Sequence, residues 1–382
     1  MKECLTFDDV NIIPKYSEVE HRSDCSLNTK LSKNRYLSIP IVSSPMDTVT
    51  ESEMALTMWN HGGMGFIHRF VSIEEQTKMV QEVVSEIRGS MTNWEIYENL
   101  DEQIEQASGT NKRILLGMKD TKRWFEEAPI GASIGVTNDY FERAGSLIDS
   151  GCNVLLIDVA NGHHKLVKEA LRRLKNEFKG IDIITGSVGT KEGAMDLCEW
   201  GADGIRVGIG NGSLCETRIR TGVGIPSITS VMDCVSACDT YNVPVIADGG
   251  VRIVGDVCKY LGSGADLVML GSLFSGTKET PGKISKVGKW PDEKLYKTYR
   301  GSASLDSKSE RGEESNVEGN SKIIPYKGKV RRILNDIKDG ICSSMSYVGA
   351  RTLEEYRSLV EFVKITEAGR IEATPHLLDS KI

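Results

Sequence analysis

The amino-acid sequence predicts a (β/α)8 barrel, the TIM-barrel class of α/β folds, and three observations support this prediction. Eight short apolar runs recur along the chain, and most are followed by a segment with helical spacing. The runs are continuous rather than alternating, which is typical of parallel strands buried on both faces. Eight strand–helix units fit within about 240 residues, as this class requires. A doubly wound open sheet is the alternative.

The eight predicted strands follow one another with room for a helix between most of them. Helical spacing is clearest in HKLVKEALRRLKNEF and TKEGAMDLCEWG, which follow the fourth and fifth runs. The strands are predicted at 39–44, 63–68, 131–136, 153–159, 182–188, 204–209, 244–250 and 267–272.

Two segments depart from the simple repeat. Residues 72–129 begin with the helical pattern IEEQTKMVQEVVSEIRG and predict a long insertion after the second strand, either a small subdomain or an elaborated helix pair. After the eighth strand comes a long polar stretch, in which residues 300–322 contain few large apolar side chains. A long polar loop that returns to a barrel is usually functional, so we predict a mobile active-site flap at 300–322, with a disordered linker as the alternative. We expect residues 1–382 to form a single catalytic barrel.

Composition limits the classes of function. The net charge of −7 argues against a nucleic-acid or anionic-membrane surface, although a small basic pocket for a phosphate is compatible with it. No apolar run approaches the ~20 residues of a membrane span, and the N-terminal MKECLTFDDV lacks the apolar core of a signal peptide. The nine cysteines show no pairing rhythm, which predicts reduced thiols and a cytoplasmic protein.

One cysteine stands apart, in the stretch RVGIGNGSLCETRIRTGVG at 206–224. Glycine interrupts regular structure and lets the backbone approach a ligand closely, so Cys215 is predicted to lie on a loop just past the sixth strand. A buried structural cysteine would sit more naturally inside the apolar run. We interpret Cys215 as reactive or ligand-contacting, with a packed thiol in a glycine-rich turn as the alternative.

The carboxyl ends of barrel strands face one site, so the residues at those ends can be considered together. Asp248 ends the seventh strand and suits a ligand that donates hydrogen bonds, such as a ribose. Glycines at 249–250 and 271 belong to the last two strands, where barrels commonly bind phosphate, and Ser213 adds a hydroxyl donor. These residues predict a phosphorylated, hydroxylated small ligand lying against Cys215.

The motif IRVGIGNGSLCET resembles the active-site signature of the IMP dehydrogenase/GMP reductase family. The resemblance extends over nearly the whole chain, through LTFDDVNIIP, SSPMDTVTE, GGMGFIH, IDVANG, VIADGGVR, YRGSAS and YVGARTLEEY in order. It implies a barrel enzyme in which a cysteine thiolate forms a covalent adduct at C2 of a purine nucleotide. The 72–129 insertion is too short for the paired CBS domains usual in the dehydrogenase.

The resemblance implies a role for each matching residue. Cys215 matches the nucleophile, and Thr217 and Glu318 match a proton relay that acts on the water or ammonia exchanged at C2. The implied substrate-binding residues are Ser44, Met46, Ser213, Asp248, Gly249, Gly250, Gly271, Ser272, Tyr299, Gly301 and Ser302. The implied nicotinamide-cofactor residues are Asp158, Ala160 and Asn161. The resemblance also implies a homotetramer and a potassium site, to which a neighbouring subunit's tail contributes, formed by Gly210, Gly212, Cys215 and Glu372.

The two activities of the family differ in how the covalent adduct is resolved, and residues argue for both. The dehydrogenase activates water with an Arg-Tyr pair on its flap, whereas in this chain Arg311 is followed by Gly312. The segment GGVR at 249–252, the tail EAGRIEATPH and Arg69 instead resemble the dehydrogenase. We expect NADPH-dependent reductive deamination of GMP to IMP and ammonia. NAD-dependent oxidation of IMP is the alternative, and a catalytically idle purine-nucleotide-binding protein is a third hypothesis.

Overall fold

Eight parallel strands close into a barrel in the computed structural model, which describes residues 1–89, 100–108, 128–288, 292–310 and 317–373. Three short strands precede the barrel: β1 (Val10–Ile12), β2 (Thr29–Lys30) and β3 (Tyr36–Leu37). The barrel strands are β4 (Ile41–Ser43), β5 (Met64–Ile67), β6 (Gly131–Ile134), β7 (Val154–Asp158), β8 (Asp182–Val188), β9 (Gly204–Val207), β10 (Val245–Asp248) and β11 (Leu267–Leu270). They follow one another around the barrel in chain order, so the TIM-barrel prediction and its eight strand positions are confirmed.

Most observed strands are shorter than the predicted runs. The run at 204–209 ends as a strand at Val207, because Gly208 adopts a φ of +149° that favours glycine. A Cβ at Gly208 would lie 2.2 Å from the carbonyl oxygen of Asp248, so the sixth and seventh strand ends approach each other closely. The loop that begins here, residues 208–216, carries Cys215, and we call this loop the cysteine loop.

Burial on both faces explains why the strands are continuously apolar. Along β7, Val154 and Leu156 belong to the cluster that fills the barrel lumen, whereas Leu155 and Ile157 pack in the larger core between barrel and helices. The rest of the lumen cluster consists of Leu31, Leu37, Val42, Met64, Phe66, Ile184, Ile246, Leu267 and Met269. Both faces of a barrel strand therefore meet apolar neighbours, and the alternation of a half-exposed strand is lost.

Helices surround the barrel. The described α-helices are α1 (Ser52–Asn60), α2 (Ile73–Gly89), α3 (Leu100–Gln106), α4 (Tyr140–Asp149), α5 (Lys165–Glu177), α6 (Lys191–Glu199), α7 (Thr217–Thr221), α8 (Ser227–Cys238), α9 (Val254–Gly262), α10 (Leu305–Glu310), α11 (Val330–Val348), α12 (Leu353–Leu359) and α13 (Glu367–Glu372). The two clearest helical predictions are confirmed as α5 and α6. Short 3-10 helices occupy Phe7–Asp9, Arg22–Asp24 and Asp239–Tyr241. None of these described helices combines the length and apolarity that crossing a membrane requires.

The hairpin of β2 and β3 covers the N-terminal end of the barrel, a feature that the sequence patterns did not predict. Leu31 and Leu37 of this hairpin belong to the lumen cluster. Asp182, buried at the start of β8, accepts hydrogen bonds from Ser32 Oγ and Asn34 Nδ2, each at 2.6 Å. With this end covered, the carboxyl ends of the strands form the accessible end of the barrel.

The polar stretch after the barrel contains regular structure. Strands β12 (Ser285–Val287), β13 (Lys294–Arg300) and β14 (Ser321–Pro325) pair as an antiparallel sheet, and the last strand, β15 (Phe362–Lys364), pairs with β1. This sheet reaches the range 300–322 only at its two ends, so the choice there between a mobile flap and a disordered linker stays open.

The predicted flap at 300–322 lies partly within the described residues. Its two described portions contact each other and the cysteine loop, since Gly319 forms isolated bridges with both Ser304 and Cys215. Arg311 and Gly312 lie outside the described residues, so the predicted mobility of the flap stays a prediction.

The predicted insertion at 72–129 begins as expected, with α2, and includes α3. Residues 90–99 and 109–127 lie outside the described part of the chain. The choice between a small subdomain and an elaborated helix pair therefore stays open.

Candidate active site

A cavity of about 450 Å3 opens at the carboxyl ends of the barrel strands, within the range of ~300–1,000 Å3 typical of small-molecule sites. The predicted catalytic residues Cys215, Thr217 and Glu318 all line it. So do all of the predicted substrate-binding residues: Ser44, Met46, Ser213, Asp248, Gly249, Gly250, Gly271, Ser272, Tyr299, Gly301 and Ser302. The fold thus brings together side chains and glycines from most of the strand ends.

The three predicted catalytic side chains form a continuous chain of contacts. The Cys215 thiol donates to the Thr217 hydroxyl oxygen at 3.2 Å, and this hydroxyl donates to Glu318 Oε2 at 2.7 Å. Glu318 is 101 residues from Thr217 in the sequence, so only the fold brings them together. The contacts are within the reach that proton transfer requires, so a proton can pass between the carboxylate and a ligand atom beside Thr217.

Backbone hydrogen bonds hold Glu318 at the cysteine loop. The N–H of Glu216 donates to the carbonyl of Glu318 at 2.8 Å, and the N–H of Asn320 donates to the carbonyl of Leu214 at 3.1 Å. On its other side, the N–H of Glu318 donates to the carbonyl of Ala303 at 3.0 Å. The end of the flap therefore lies as a short extended segment against the cysteine loop.

Glycines at the ends of β10 and β11 leave the predicted phosphate side of the cavity open. A Cβ at Gly249, where φ is +89°, would lie 3.0 Å from the backbone nitrogen of Gly212. A Cβ at Gly271 would lie 2.8 Å from Ser44 Oγ and 3.1 Å from Met46 Sδ. The absence of side chains at these positions lets an anion approach the backbone N–H groups closely.

Two hydroxyl groups lie at the same side of the cavity. Tyr299 Oη lies 3.4 Å from Ser213 Oγ. Burial raises the pKa of Tyr299, so its phenol stays protonated and can donate a hydrogen bond. The pair adds neutral donors to the glycine backbone, which suits a phosphate.

Arg206 is a charged residue of the cavity that the sequence patterns did not predict. It is buried on β9, and its guanidinium lies 2.9 Å from Asp158 Oδ1 and 3.9 Å from Asp248 Oδ2. Burial raises the pKa of Asp248, and the positive charge of Arg206 opposes this rise. The sequence contained one signal that could have identified Arg206, namely a charged residue inside the apolar run GIRVGI. A buried strand carries a charged side chain only where that side chain has a partner. Arg206 joins the predicted ribose and cofactor sides of the cavity.

The structure places only some of the predicted cofactor residues at the cavity. Asp158 and Ala160 line the cavity, whereas Asn161 is exposed and accepts a hydrogen bond from the backbone N–H of His163 at 3.2 Å. Arg69 and Phe70 also line the cavity at this side, with the guanidinium carbon 5.0 Å from the ring centroid. Arg69 Nε also lies 3.9 Å from Asp158 Oδ2, so a carboxylate, a guanidinium and an aromatic ring share this side of the cavity.

The predicted potassium ligands come together only in part within one chain. Gly210, Gly212 and Cys215 share the cysteine loop, whereas Glu372 is exposed at the end of α13 and does not line the cavity. Within the described ranges, no three His, Cys, Asp or Glu side chains cluster as a metal site would require. A role for Glu372 would need a second subunit, so the potassium site stays a prediction.

Comparison with known proteins agrees with this geometry. The family model described as "IMP dehydrogenase / GMP reductase domain" matches residues 4–376. The chain is 39% identical to the inosine-5'-monophosphate dehydrogenase of Borreliella burgdorferi, over 98% of this chain and 97% of that protein. It is 32% identical to the GMP reductase of Leishmania major, over 98% and 97% of the two chains.

A solved structure extends the comparison to the fold. The crystal structure of a GMP reductase variant from Trypanosoma brucei, in complex with guanosine 5'-monophosphate, matches with a TM-score of 0.85. The two chains are 30% identical, and the match covers 98% of each. The chain therefore belongs to the IMP dehydrogenase/GMP reductase family of oxidoreductases.

Proposed function

We propose that the protein catalyses the NADPH-dependent reductive deamination of GMP to IMP and ammonia. The observation that carries this proposal is the chain of contacts from Cys215 through Thr217 to Glu318, at 3.2 and 2.7 Å. Loss of ammonia from C2 requires a nucleophile that adds to the carbon and an acid that protonates the leaving nitrogen. The three side chains supply both functions at one point of the cavity.

The chemistry divides into two steps. In the first, the Cys215 thiolate forms a bond to C2 of the guanine and the bond from C2 to the amino nitrogen breaks. The departing nitrogen takes one proton, which Glu318 supplies through the Thr217 hydroxyl, and leaves as ammonia. In the second, C2 gains a hydride and the bond from C2 to sulfur breaks, which regenerates the thiolate and yields IMP.

The reduced nicotinamide supplies the hydride for the second step. On this chain Asp158, Ala160 and Phe70 would face the nicotinamide, and Arg206 holds the Asp158 carboxylate at 2.9 Å. We extend the proposal to the predicted nucleotide contacts, with Asp248 and Ser44 at the ribose. The glycines at 249–250 and 271 would hold the phosphate with Ser213 and Tyr299.

Oxidation of IMP with NAD is the second candidate, and the sequence identities favour it. The relatives at 39% and 38% identity are named inosine-5'-monophosphate dehydrogenase, whereas the Leishmania GMP reductases match at 32%. The same relay would then run in the opposite sense, with Glu318 accepting a proton from water through Thr217. Because Gly312 replaces the tyrosine that the dehydrogenase pairs with its flap arginine, hydrolysis by this relay alone should be slow.

The two reactions change the near-ultraviolet absorbance of the nicotinamide in opposite directions. We expect GMP with NADPH to react at least about tenfold faster than IMP with NAD, which corresponds to ~1.4 kcal/mol in barrier height. Replacing Glu318 by glutamine should lower GMP reduction about a hundredfold, in the range that general acid groups contribute. A Glu354→Gln variant, changed on an outer helix, is the matched control and should retain its rate.

Two outcomes would separate the hypotheses. Rapid XMP formation from IMP, with little effect of Glu318→Gln, would show that the reductase proposal is wrong. Turnover of neither nucleotide, with tight nucleotide binding retained, would favour the idle binding protein. Sedimentation of the purified chain would test the homotetramer that the resemblance implies.

A further inference from the structure

Glu216, which follows Cys215, uses both of its carboxylate oxygens in side-chain contacts. Its Oε1 accepts a hydrogen bond from Asn320 Nδ2 at 2.6 Å. Its Oε2 accepts one from Arg220 Nε at 2.7 Å. The Arg220 and Asn320 hydrogen bonds hold the pKa of Glu216 below its ordinary value, so this carboxylate stays ionised near neutral pH. A charged acceptor strengthens the contact with the Asn320 amide.

The contact between Glu216 and Asn320 spans the place where the flap meets the cysteine loop. Two backbone hydrogen bonds, of 2.8 and 3.1 Å, join the same two segments. The central residue of the flap segment, Gly319, brings no side chain to it. The amide of Asn320, two residues beyond Glu318, reaches back to the cysteine loop through its side chain.

Glu318 depends on this junction for its position. Its carboxylate must lie within ~3 Å of the Thr217 hydroxyl for a proton to pass, and it does so at 2.7 Å. A displacement of about 1 Å at such a position can lower a rate by up to ~100-fold. Glu216 and Glu318 are only half-buried and Asn320 is exposed, so water can compete with this short backbone pairing.

We propose that the contact between Glu216 and Asn320 positions Glu318 against Thr217 and thereby keeps the proton relay connected. Glu216 and Asn320 are positioning residues, since neither lines the reacting part of the cavity. This inference rests on the proposed function, in which Glu318 protonates the leaving ammonia. It predicts that breaking the contact slows turnover without weakening nucleotide binding.

The test compares Glu216→Ala, Asn320→Ala and the double variant in GMP reduction. Each single change should lower kcat about tenfold and leave KM for GMP within about twofold, and the double variant should be no slower than the slower single variant. Glu216→Gln keeps a carbonyl acceptor for Asn320 and should recover most of kcat relative to alanine. Arg220→Ala, which leaves the Asn320 contact in place, is the control and should stay within about threefold of wild type.

A second comparison excludes a general structural effect. In a Glu318→Gln background the relay is already broken, so adding Asn320→Ala should cause no further loss of kcat. Three results would overturn the proposal. The first is a further tenfold loss of kcat in that background. The others are a double variant whose loss of kcat equals the product of the two single losses, and an unchanged kcat in both single variants.

Amide hydrogen exchange of the free protein tests the contact independently of any reaction. The N–H groups of Glu216 and Asn320 should exchange several-fold faster in the alanine variants than in wild type. If wild type fails to reduce GMP but exchange accelerates, the proposed function fails and the contact stands. If exchange is unchanged, the positioning role is wrong whatever the reaction.

Discussion

Replacing Arg206 by methionine tests the electrostatic organisation of the cavity. Arg206 is buried on β9 between two carboxylates, 2.9 Å from Asp158 and 3.9 Å from Asp248. Methionine has a similar length and can occupy the same space, so the change mainly removes the positive charge. The two carboxylates, at the ends of β7 and β10, would then lose the cation that they share, and only Asp158 would keep a nearby guanidinium, that of Arg69 at 3.9 Å.

The expected cost follows from the burial of the group. Removing one partner of a buried ion pair typically costs ~3–5 kcal/mol, because the remaining charge is left uncompensated. The side chain of Asp248 is 25% exposed and that of Asp158 is 15% exposed, so water can solvate part of the remaining charge. We therefore expect a loss of about 3 kcal/mol in the free energy of unfolding near neutral pH, at the lower end of that range.

The loss should depend on pH in a defined direction. Burial already raises the pKa of Asp248, and loss of Arg206 removes the charge that opposes this rise. A carboxyl group with a raised pKa binds a proton in the folded state that the unfolded chain has released. Its contribution to stability is therefore present at low pH and is lost as the pH rises through the folded-state pKa. The difference between variant and wild type should be large near pH 7 and smaller near pH 5, by at least ~1 kcal/mol.

Urea unfolding followed by tryptophan fluorescence at the two pH values measures this difference. Ile184→Val, a change in the lumen cluster without charge, is the control and should cost ~0.5–1.5 kcal/mol equally at both pH values. An Arg206→Met variant that loses less than about 1 kcal/mol, or loses equal stability at both pH values, would refute the reasoning.

Three further predictions concern the site. Cys215→Ser should abolish turnover while nucleotide binding stays within about tenfold, and residual turnover above about a tenth of wild type would exclude covalent catalysis by this thiol. Gly271→Ala places a methyl group 2.8 Å from Ser44 Oγ and should raise KM for the nucleotide about tenfold. Gly255→Ala on α9 is the neutral control. Equal KM values for the two variants would contradict a close approach of the phosphate to Gly271. If Glu372 of a neighbouring subunit completes a cation site at the cysteine loop, replacing K+ by a large organic cation should lower the rate. Equal rates in the two salts would remove the potassium prediction.

The barrel and the location of its site follow from the sequence alone. Continuous apolar runs such as NVLLIDV are local patterns, and a short run of this kind is typical of a strand that is buried on both faces. The glycines before Cys215 likewise identify a loop at a strand end without knowledge of any distant residue. Because barrel strands all present their carboxyl ends to one side, strand positions were sufficient to group Asp158, Asp248 and Gly271.

Which distant side chains meet depends instead on the tertiary structure. Glu318 reaches Thr217 across 101 residues, and no local pattern encodes the 2.7 Å contact between them. Arg206 interrupts an apolar strand in the sequence, and its position between two carboxylates emerges only when β7, β9 and β10 are arranged around one lumen. The hairpin that covers the opposite end of the barrel was missed because its two strands are two residues long each. The periodicity of apolar residues indicates which face of a segment is buried. Which side chains contact each other across the barrel depends on how the strands close into that barrel.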